Sequence, residues 1–510
     1  MKQEGNETAR RGISRLCGQL AGRNPFDGDS KPSRVKLFQP GAGRPSVPFP
    51  HPWNYTRPLK ILETFFWQAE RQEGPASNNR YLDIPGRAPI LVSRDPGIIR
   101  AILHATGDGP GKFDRDTLPS GGIARATGED SLLYANGPLW KVHRKLAAPS
   151  FNKSKLFQPE RFQEFEETFR HTIRLRLDAL RVYLEESGEP SIQVALESEI
   201  KVVMLEMLAN NFFGAEIPYE EIRDRFTPSL QRVIDHIVRD TVLNRLGIPL
   251  ERMPNLSRKI ARIKADFANF EELTDRVLAP RAEERGLWKQ FKSDASNEKL
   301  RSNIRVFLAG ALEATTSFAA WAIAHLARHP DIQERVFQDV KEVDTYTPDN
   351  LNQSKELNRV LEETLRLTPS LYFLPRKATA DTWVVTTDER KMFIPDGTHI
   401  LLDVWHANRL EAYWGIEQTG YPASEFAPDR WAVLADKGVD PKGFLHFGFG
   451  HGPRVCPGKF LGQLEVGLVV GAIVKTFRFS AVHADSPAKA GVSTKPVDGA
   501  LVNLELRSQS

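Results

Sequence analysis

Cysteine is nearly absent from this chain: Cys17 and Cys456 are the only two in 510 residues. Two thiols so far apart offer no disulfide framework. The scarcity suits a reducing compartment, and a cytoplasmic location is expected. An excess of one charge is missing as well. The 69 Lys and Arg nearly balance 65 Asp and Glu, leaving a net charge of +4. With no long basic run, nothing points to a nucleic-acid partner. The N-terminus lacks the apolar core of a signal peptide, because Arg10-Arg11 runs into the polar stretch Gly12 to Asp27. No transmembrane anchor is expected before the body, and no internal repeat or low-complexity tract is evident.

What is present is an ordinary globular composition, 40% hydrophobic and 26% charged, in a chain long enough to bury a large core. Met1 to about Arg44 is polar and Gly-rich and reads as a mobile N-terminal extension (residues 1–44), with residues 45–510 as one domain. Arg80 to Ser93 reads as short strands broken at Pro85-Gly86. Asp95 to Leu103 reads as a helix, with Asp95 as cap and Pro96 in its first turn. Gly107 to Ser131 is a long Gly-rich loop of the kind that often carries function. Helices are expected over Lys155 to Glu186, Val194 to Phe213, Tyr219 to Asp240, Lys259 to Gly286, Asn303 to Arg328, Asp331 to Val343 and Pro348 to Leu367. Short strands follow at Trp383 to Thr387, Met392 to Ile394 and Thr398 to Val404, with a last pair near Arg478 to Val482 and Val502 to Arg507. Val306 to Ala327 is apolar enough to suggest a membrane span. Glu313, Thr315, Thr316, Ser317 and His325 would make that costly, so a buried central helix is expected. The fold class is mainly α with small β-sheets (α+β).

The second cysteine carries the most information. It lies in Phe449-Gly450-His451-Gly452-Pro453-Arg454-Val455-Cys456-Pro457-Gly458. The glycines permit φ > 0 and close backbone approach to a flat ligand. Backbone N–H groups near the sulfur would tune a bound metal. Leu461 to Val474 reads as an apolar helix whose N-terminal dipole favours an anionic thiolate. Two other readings compete. A lone cysteine is commonly an inert buried thiol. His446, His451 and Cys456 could ligate zinc, but no fourth ligand stands nearby. The glycines do not form a dinucleotide fingerprint, since Pro453 breaks the pattern and the strand–helix context is missing.

The pattern F-x-x-G-x-R-x-C-x-G resembles the haem-ligand loop of cytochromes P450, and further motifs in the same order extend the resemblance from about Pro45 to Arg507. The resemblance implies the P450 fold, with Cys456 as axial ligand of the haem iron, Arg454 on a haem propionate and Phe449 beside the ring. A thiolate ligand favours O–O cleavage on the opposite face of the iron. Trp140 and Arg144 match the family's W-x-x-x-R helix and would bind haem carboxylates. Arg376 sits where the family places a further propionate-binding arginine. Glu363 and Arg366 match E-x-x-R, and Arg430, within Phe426-Ala427-Pro428-Asp429-Arg430-Trp431, would join them in a buried structural network. These forms are closer to the microsomal-type branch, here without an N-terminal membrane anchor.

The central helix departs from the family pattern. Ala309-Gly310-Ala311-Leu312-Glu313-Ala314-Thr315-Thr316 keeps the acid but puts Ala314 where oxygen-activating members carry an alcohol. Glu313, Thr315 and Thr316 are the candidate catalytic residues. Phe307, Gly310, Ala311, Leu371 and Phe373 are the candidate substrate contacts. The resemblance implies a haem b enzyme, an O2-dependent monooxygenase that hydroxylates or epoxidises an apolar or amphipathic small molecule. Too few residues follow Cys456 for a fused flavin domain. A separate redox partner, ferredoxin or flavin reductase, is therefore expected, with Lys141, Lys145, Lys153 and Lys459 as a basic surface for it. Ala314 keeps open a peroxygenase, an oxidative-coupling enzyme or an isomerase that needs no reductase. A haem-binding protein without catalysis is a more distant alternative. A monomer is expected.

Overall fold

The computed structural model describes residues 24–36, 59, 62–67, 78–83, 88–107, 111–116, 126–128, 130–245, 258–279, 298–347, 349, 353–443 and 445–507. The longer helices, in chain order, are α1 (Pro96–His104), α2 (Gly137–Phe151), α3 (Pro159–Ser187), α4 (Leu196–Glu206), α5 (Thr227–Arg245), α6 (Arg258–Leu278), α7 (Glu298–Leu326), α8 (Pro330–Val340), α9 (Lys355–Leu367) and α10 (Lys459–Thr476). The strands are β1 (Ser33–Lys36), β2 (Asn79–Asp83), β3 (Ile90–Ser93), β4 (Phe113–Arg115), β5 (Ile192–Ala195), β6 (Leu374–Ala378), β7 (Thr382–Val385), β8 (Lys391–Ile394), β9 (His399–Leu402), β10 (Phe477–Ala481), β11 (Ala488–Ala490), β12 (Thr494–Pro496) and β13 (Leu501–Leu506). Two compact units result. One is Met1–Pro119, Tyr372–Leu410 and Asp440–Val455; the other is Ser120–Leu371, Glu411–Val439 and Cys456–Ser510.

The first unit is built on a six-stranded mixed sheet of order β1-β2-β3-β9-β6-β4, with β7–β8 as a separate hairpin. Its core joins Tyr81 and Leu91 of the sheet to Ile98, Ile99, Ile102 and Leu103 of α1 and to Ile400 and Leu402 of β9. Those four α1 residues recur at helical spacing, so one face is apolar. The Asp95 carboxylate accepts from Ile98 N–H, and Pro96 occupies the first turn, as the sequence predicts. Residues 24–36 of the expected extension pack into this unit. Phe26 is 1% exposed and β1 runs parallel to β2. The rest of the extension, and residues 108–110, 117–125 and 129 of the Gly-rich loop, lie outside the described residues.

The second unit is helical, with α7 packed against α4, α9 and α10. Leu300–Leu326 is long and apolar enough to cross a membrane, and 65% of its apolar window is buried inside the protein. α10 is apolar all round, as a helix enclosed by others must be. A three-stranded sheet of order β10-β13-β5 and the hairpin β11–β12 complete this unit.

Several boundaries differ from the sequence reading. The helix expected from Lys155 starts at Pro159, after a separate turn at Lys153–Leu156, because proline favours a first turn and disfavours helix in the residue before it. The helix expected from Val194 starts at Leu196, since Ile192–Ala195 is drawn into a strand against Leu501–Leu504. α7 begins earlier, at Glu298, and α9 later, at Lys355. The short helices Val404–Ala407, Glu411–Trp414, Ile416–Thr419 and Arg430–Asp436 and the hairpin β11–β12 were not expected. Each is too short to set up a periodic signal.

Candidate functional site

In the second unit, Cys456 stands just before α10. Its thiol is pushed up by burial, while the Gly458 N–H, Arg144 and Lys459 pull the other way. The residue's surface is nonetheless exposed. The two facts agree if the side chain is open on one side and ringed by dense protein on the others. Arg144, one turn after Trp140 on α2, is lowered by burial and raised by Cys456. The structure thus brings a cation and a backbone donor to the sulfur, which offset part of the effect of burial.

In the first unit, Arg454 closes a short turn, Gly452–Arg454. Gly452 has φ +69°, and a Cβ there would lie 2.5 Å from Leu103 O, so the position demands glycine twice over. Arg376, on β6, is 2% exposed. One of its N–H groups donates to Pro375 O at 2.8 Å, but its Nε has no hydrogen-bond partner among the described residues. Burial, then Arg115 and Arg454, holds its pKa well below the usual arginine value. Arg115 is its cross-strand partner in the β4–β6 register. Three guanidinium groups therefore share one neighbourhood, and such an arrangement calls for an anion. Phe449 precedes this turn and is half-buried.

Back in the second unit, Glu363, Arg366 and Arg430 are each 0% exposed and meet as expected. Arg366 grips Glu363 with two bonds of 2.8 Å, and Arg430 Nε donates to it at 2.8 Å. Ala427 N–H (3.0 Å) and Trp431 Nε1 (3.1 Å) fill the remaining acceptor sites. The arginines spend their other donors on the carbonyls of Trp414, Pro422, Ala423 and Glu425. Burial alone would raise the Glu363 pKa, but the two arginines and the Ala427 N–H hold it below its ordinary value.

On α7, Glu313 is 4% exposed. Its carboxylate accepts from Lys495 Nζ and Ser493 Oγ, both at 2.8 Å. Ser370 Oγ donates to Ala314 O at 2.9 Å. Thr315 presents its methyl toward α10, 3.6 Å from where a Cβ on Gly462 would lie. Thr316 is fully buried, and its hydroxyl has no partner among the described residues. Phe307 packs against Phe151, ring centres 5.2 Å apart, and Gly310 is exposed. Leu371 is 43% exposed. In the first unit Phe373 meets Tyr372 edge-on at 4.5 Å. The side chain of Ala311 lies outside the described residues.

A family model for cytochrome P450 matches residues 81–497. The chain belongs to the cytochrome P450 family. Curated relatives agree across the length of the chain. Cytochrome P450 3A9 of Rattus norvegicus is 22% identical over 460 residues, covering 85% of each chain. Cytochrome P450 734A2 of Oryza sativa subsp. japonica is 25% identical over 431 residues, 78% of this chain and 73% of that protein. Cytochrome P450 monooxygenase sphH of Aspergillus fumigatus is 29% identical over a shorter stretch of 224 residues, 41% of this chain and 39% of that protein. The protein is accordingly a haem-thiolate monooxygenase of mixed α and β structure.

The residues of this P450 fit a haem. Arg376 keeps a buried N–H without an acceptor beside two further guanidinium groups, suited to carboxylates, and Cys456 has a cation and a backbone donor at its sulfur. Sequence reasoning missed Arg115, Ser493 and Lys495. Arg115 sat in a loop valued for its glycines. Gly491 followed by Pro496 is a turn-and-edge signal that could have located the hairpin carrying Ser493 and Lys495.

Proposed function

We propose that this P450 inserts one oxygen atom from O2 into an apolar or amphipathic small molecule, using electrons from a separate ferredoxin or flavin reductase. The observation that carries this reading is the environment of Cys456, a thiol flanked by Arg144, Lys459 and the Gly458 N–H. Iron protoporphyrin IX (haem b), when bound, supplies the activation of O2. Cys456 gives its thiolate to the iron. Arg376, Arg454, Trp140 and Arg144 take the carboxylates, Arg115 adds a further charge, and Phe449 packs beside the ring. Glu363, Arg366 and Arg430 hold the backbone that supports them and do no chemistry. Glu313 handles protons with Thr315 and Thr316. Phe307, Gly310, Ala311, Leu371 and Phe373 contact the substrate. Lys141, Lys145 and Lys153 are exposed; Lys153 and Lys459 lie over Phe460 at 5.7 and 5.9 Å. They offer an acidic redox partner a basic surface. The location proposed is the cytoplasm.

Ala314 favours a second reading, a peroxygenase, coupling enzyme or isomerase that bypasses the reductase. Purified protein is first reduced under CO. The shifted ferrous–CO band is expected, and its absence, or its persistence in Cys456→Ala, would end the haem-thiolate assignment. Hits from a spectral-shift screen of lipids, terpenoids and aromatics are then turned over with O2 and a surrogate reductase, or with peroxide alone. Product under peroxide alone, with none under O2 and reductase, would select the second reading.

A further inference from the structure

Within the first unit, the end of α1 and the loop leading toward Cys456 meet at two histidines. His104 is the last residue of α1 and is exposed. His451 is half-buried and stands just before the turn Gly452–Arg454. Their ring centres are 5.9 Å apart, with the rings inclined at 39°. The backbone fixes this approach. A Cβ on Gly452 would lie 2.5 Å from Leu103 O and 3.0 Å from His104 Cα, so loop and helix end touch directly. Gly450 N–H donates to Phe447 O at 2.9 Å and Val455 N–H to Gly452 O at 3.0 Å, which closes a turn on each side of His451. Phe447, itself buried, meets the His451 ring edge-on at 5.7 Å. His451 is thus held from behind, while the exposed His104 side chain is free to change rotamer.

Core packing does not account for the pair, because the His104 ring is exposed and has no hydrogen-bond partner among the described residues. The spacing suits a shared metal ion. Two histidines on one tetrahedral zinc, with Zn–N of about 2.0–2.1 Å, set their ring centres roughly 5–6 Å apart. Imidazole suits Zn2+, Cu2+ and Ni2+, whereas Ca2+ and Mg2+ take oxygen ligands. His104 also stands at the carbonyl end of α1, where the helix dipole favours positive charge. Among the described residues no cluster of three or more His, Cys, Asp or Glu forms a metal site, so two imidazoles are what the protein offers here. Water fills the remaining positions, and the affinity falls well below that of a four-ligand structural site.

We propose that His104 and His451 form a surface site for a divalent ion of the zinc class, and that the bound ion ties the loop leading into Cys456 to the end of α1. The ion would bridge two stretches of chain that the Gly452 contact already brings together. Arg454 closes the turn that begins at Gly452, so the same bridge steadies the arginine assigned to a haem carboxylate. Metal binding itself stands apart from the haem reading. Its consequence, slower loss of haem, rests on that reading. An ion that binds both histidines only while loop and helix end are together stabilises that arrangement by mass action. At a free concentration about ten times its Kd, opening of the loop becomes about tenfold rarer.

The test uses the full-length, haem-loaded protein, freed of loose metal by dialysis against a chelator, with Zn2+ alone as the probe. Calorimetric titration should find one more zinc equivalent in wild type than in His104→Ala or His451→Ala. Zinc-edge X-ray absorption should lose a two-imidazole component in each variant. His104→Ala changes an exposed side chain, so it carries the test should His451→Ala disturb its loop. Transfer of haem to apomyoglobin should slow about tenfold in wild type at about ten times Kd, and should not respond to the same free zinc in His104→Ala. Equal zinc stoichiometry in wild type and both variants would mean adventitious binding elsewhere and overturn the site. Zinc that is lost with the histidines but leaves haem transfer unchanged in wild type would overturn the tie between loop and helix. A missing ferrous–CO band would overturn the haem reading alone, with the titration still deciding the metal.

Discussion

Glu465 should make this protein less stable as pH rises, and Glu465→Gln should remove the effect. The side chain lies on α10, is 3% exposed, and its Oε1 has no hydrogen-bond partner among the described residues. Burial raises its pKa from 4.5 to about 8. The sign follows from which state binds the proton. Below about pH 4.5 the carboxyl is neutral in both folded and unfolded chains. Between there and about pH 8 the unfolded chain releases the proton while the folded one keeps it, so stability falls. Above about pH 8 both are ionised and the loss is complete. A rise from 4.5 to about 8 corresponds to a total on the order of 5 kcal/mol, at about 1.36 kcal/mol per unit. The neutral amide of glutamine has no such dependence. Unfolding free energies from urea titrations followed by tryptophan fluorescence, for wild type and variant, should diverge in favour of the variant by about 1.4 kcal/mol per pH unit from about pH 5 to about pH 7.5. Parallel pH dependences, with a constant offset, would refute the argument.

Glu363→Gln should cost about 3–5 kcal/mol, because it leaves Arg366 and Arg430 buried without their carboxylate, and soluble haem-loaded protein should largely disappear on expression. Gly452→Ala meets both a positive φ and the Leu103 carbonyl, so its unfolding free energy from urea titration should fall by about 1–3 kcal/mol. Arg376→Leu removes a buried cation from beside Arg115 and Arg454. The bare fold should resist urea at least as well as wild type, while transfer of haem to apomyoglobin should speed up. Unchanged transfer would remove Arg376 from the haem site.

What the sequence made legible was local. The ten residues around Cys456, the Asp95-Pro96 helix start and the Glu363–Arg366 spacing are all short-range patterns whose chemistry is visible without a fold. Arg430 was reachable because its own hexapeptide matched a family motif. Lys495 was not. It meets Glu313 at a separation of 182 positions, and no property of either segment announces the other. Likewise, Ile192–Ala195 reads as the start of a helix until the partner strand at Leu501–Leu504 is known. Phe26 looks like one apolar residue in a polar tail, yet the core of the first unit closes around it. Pairing across the fold overrode local preference at each of these places.

The union of β5 with β13 also has a consequence for how the protein is made. Gln193 is bonded to Asn503, 310 positions further on. At roughly 5–20 residues per second, the early strand waits about 15 to 60 s on the ribosome with its edge unpaired. Through that interval Ile192–Ala195 is an open template for any other strand, and the helices that follow are synthesised before the sheet can close. Slow folding and a need for chaperones at this edge would originate there, well before the Cys456 loop is synthesised.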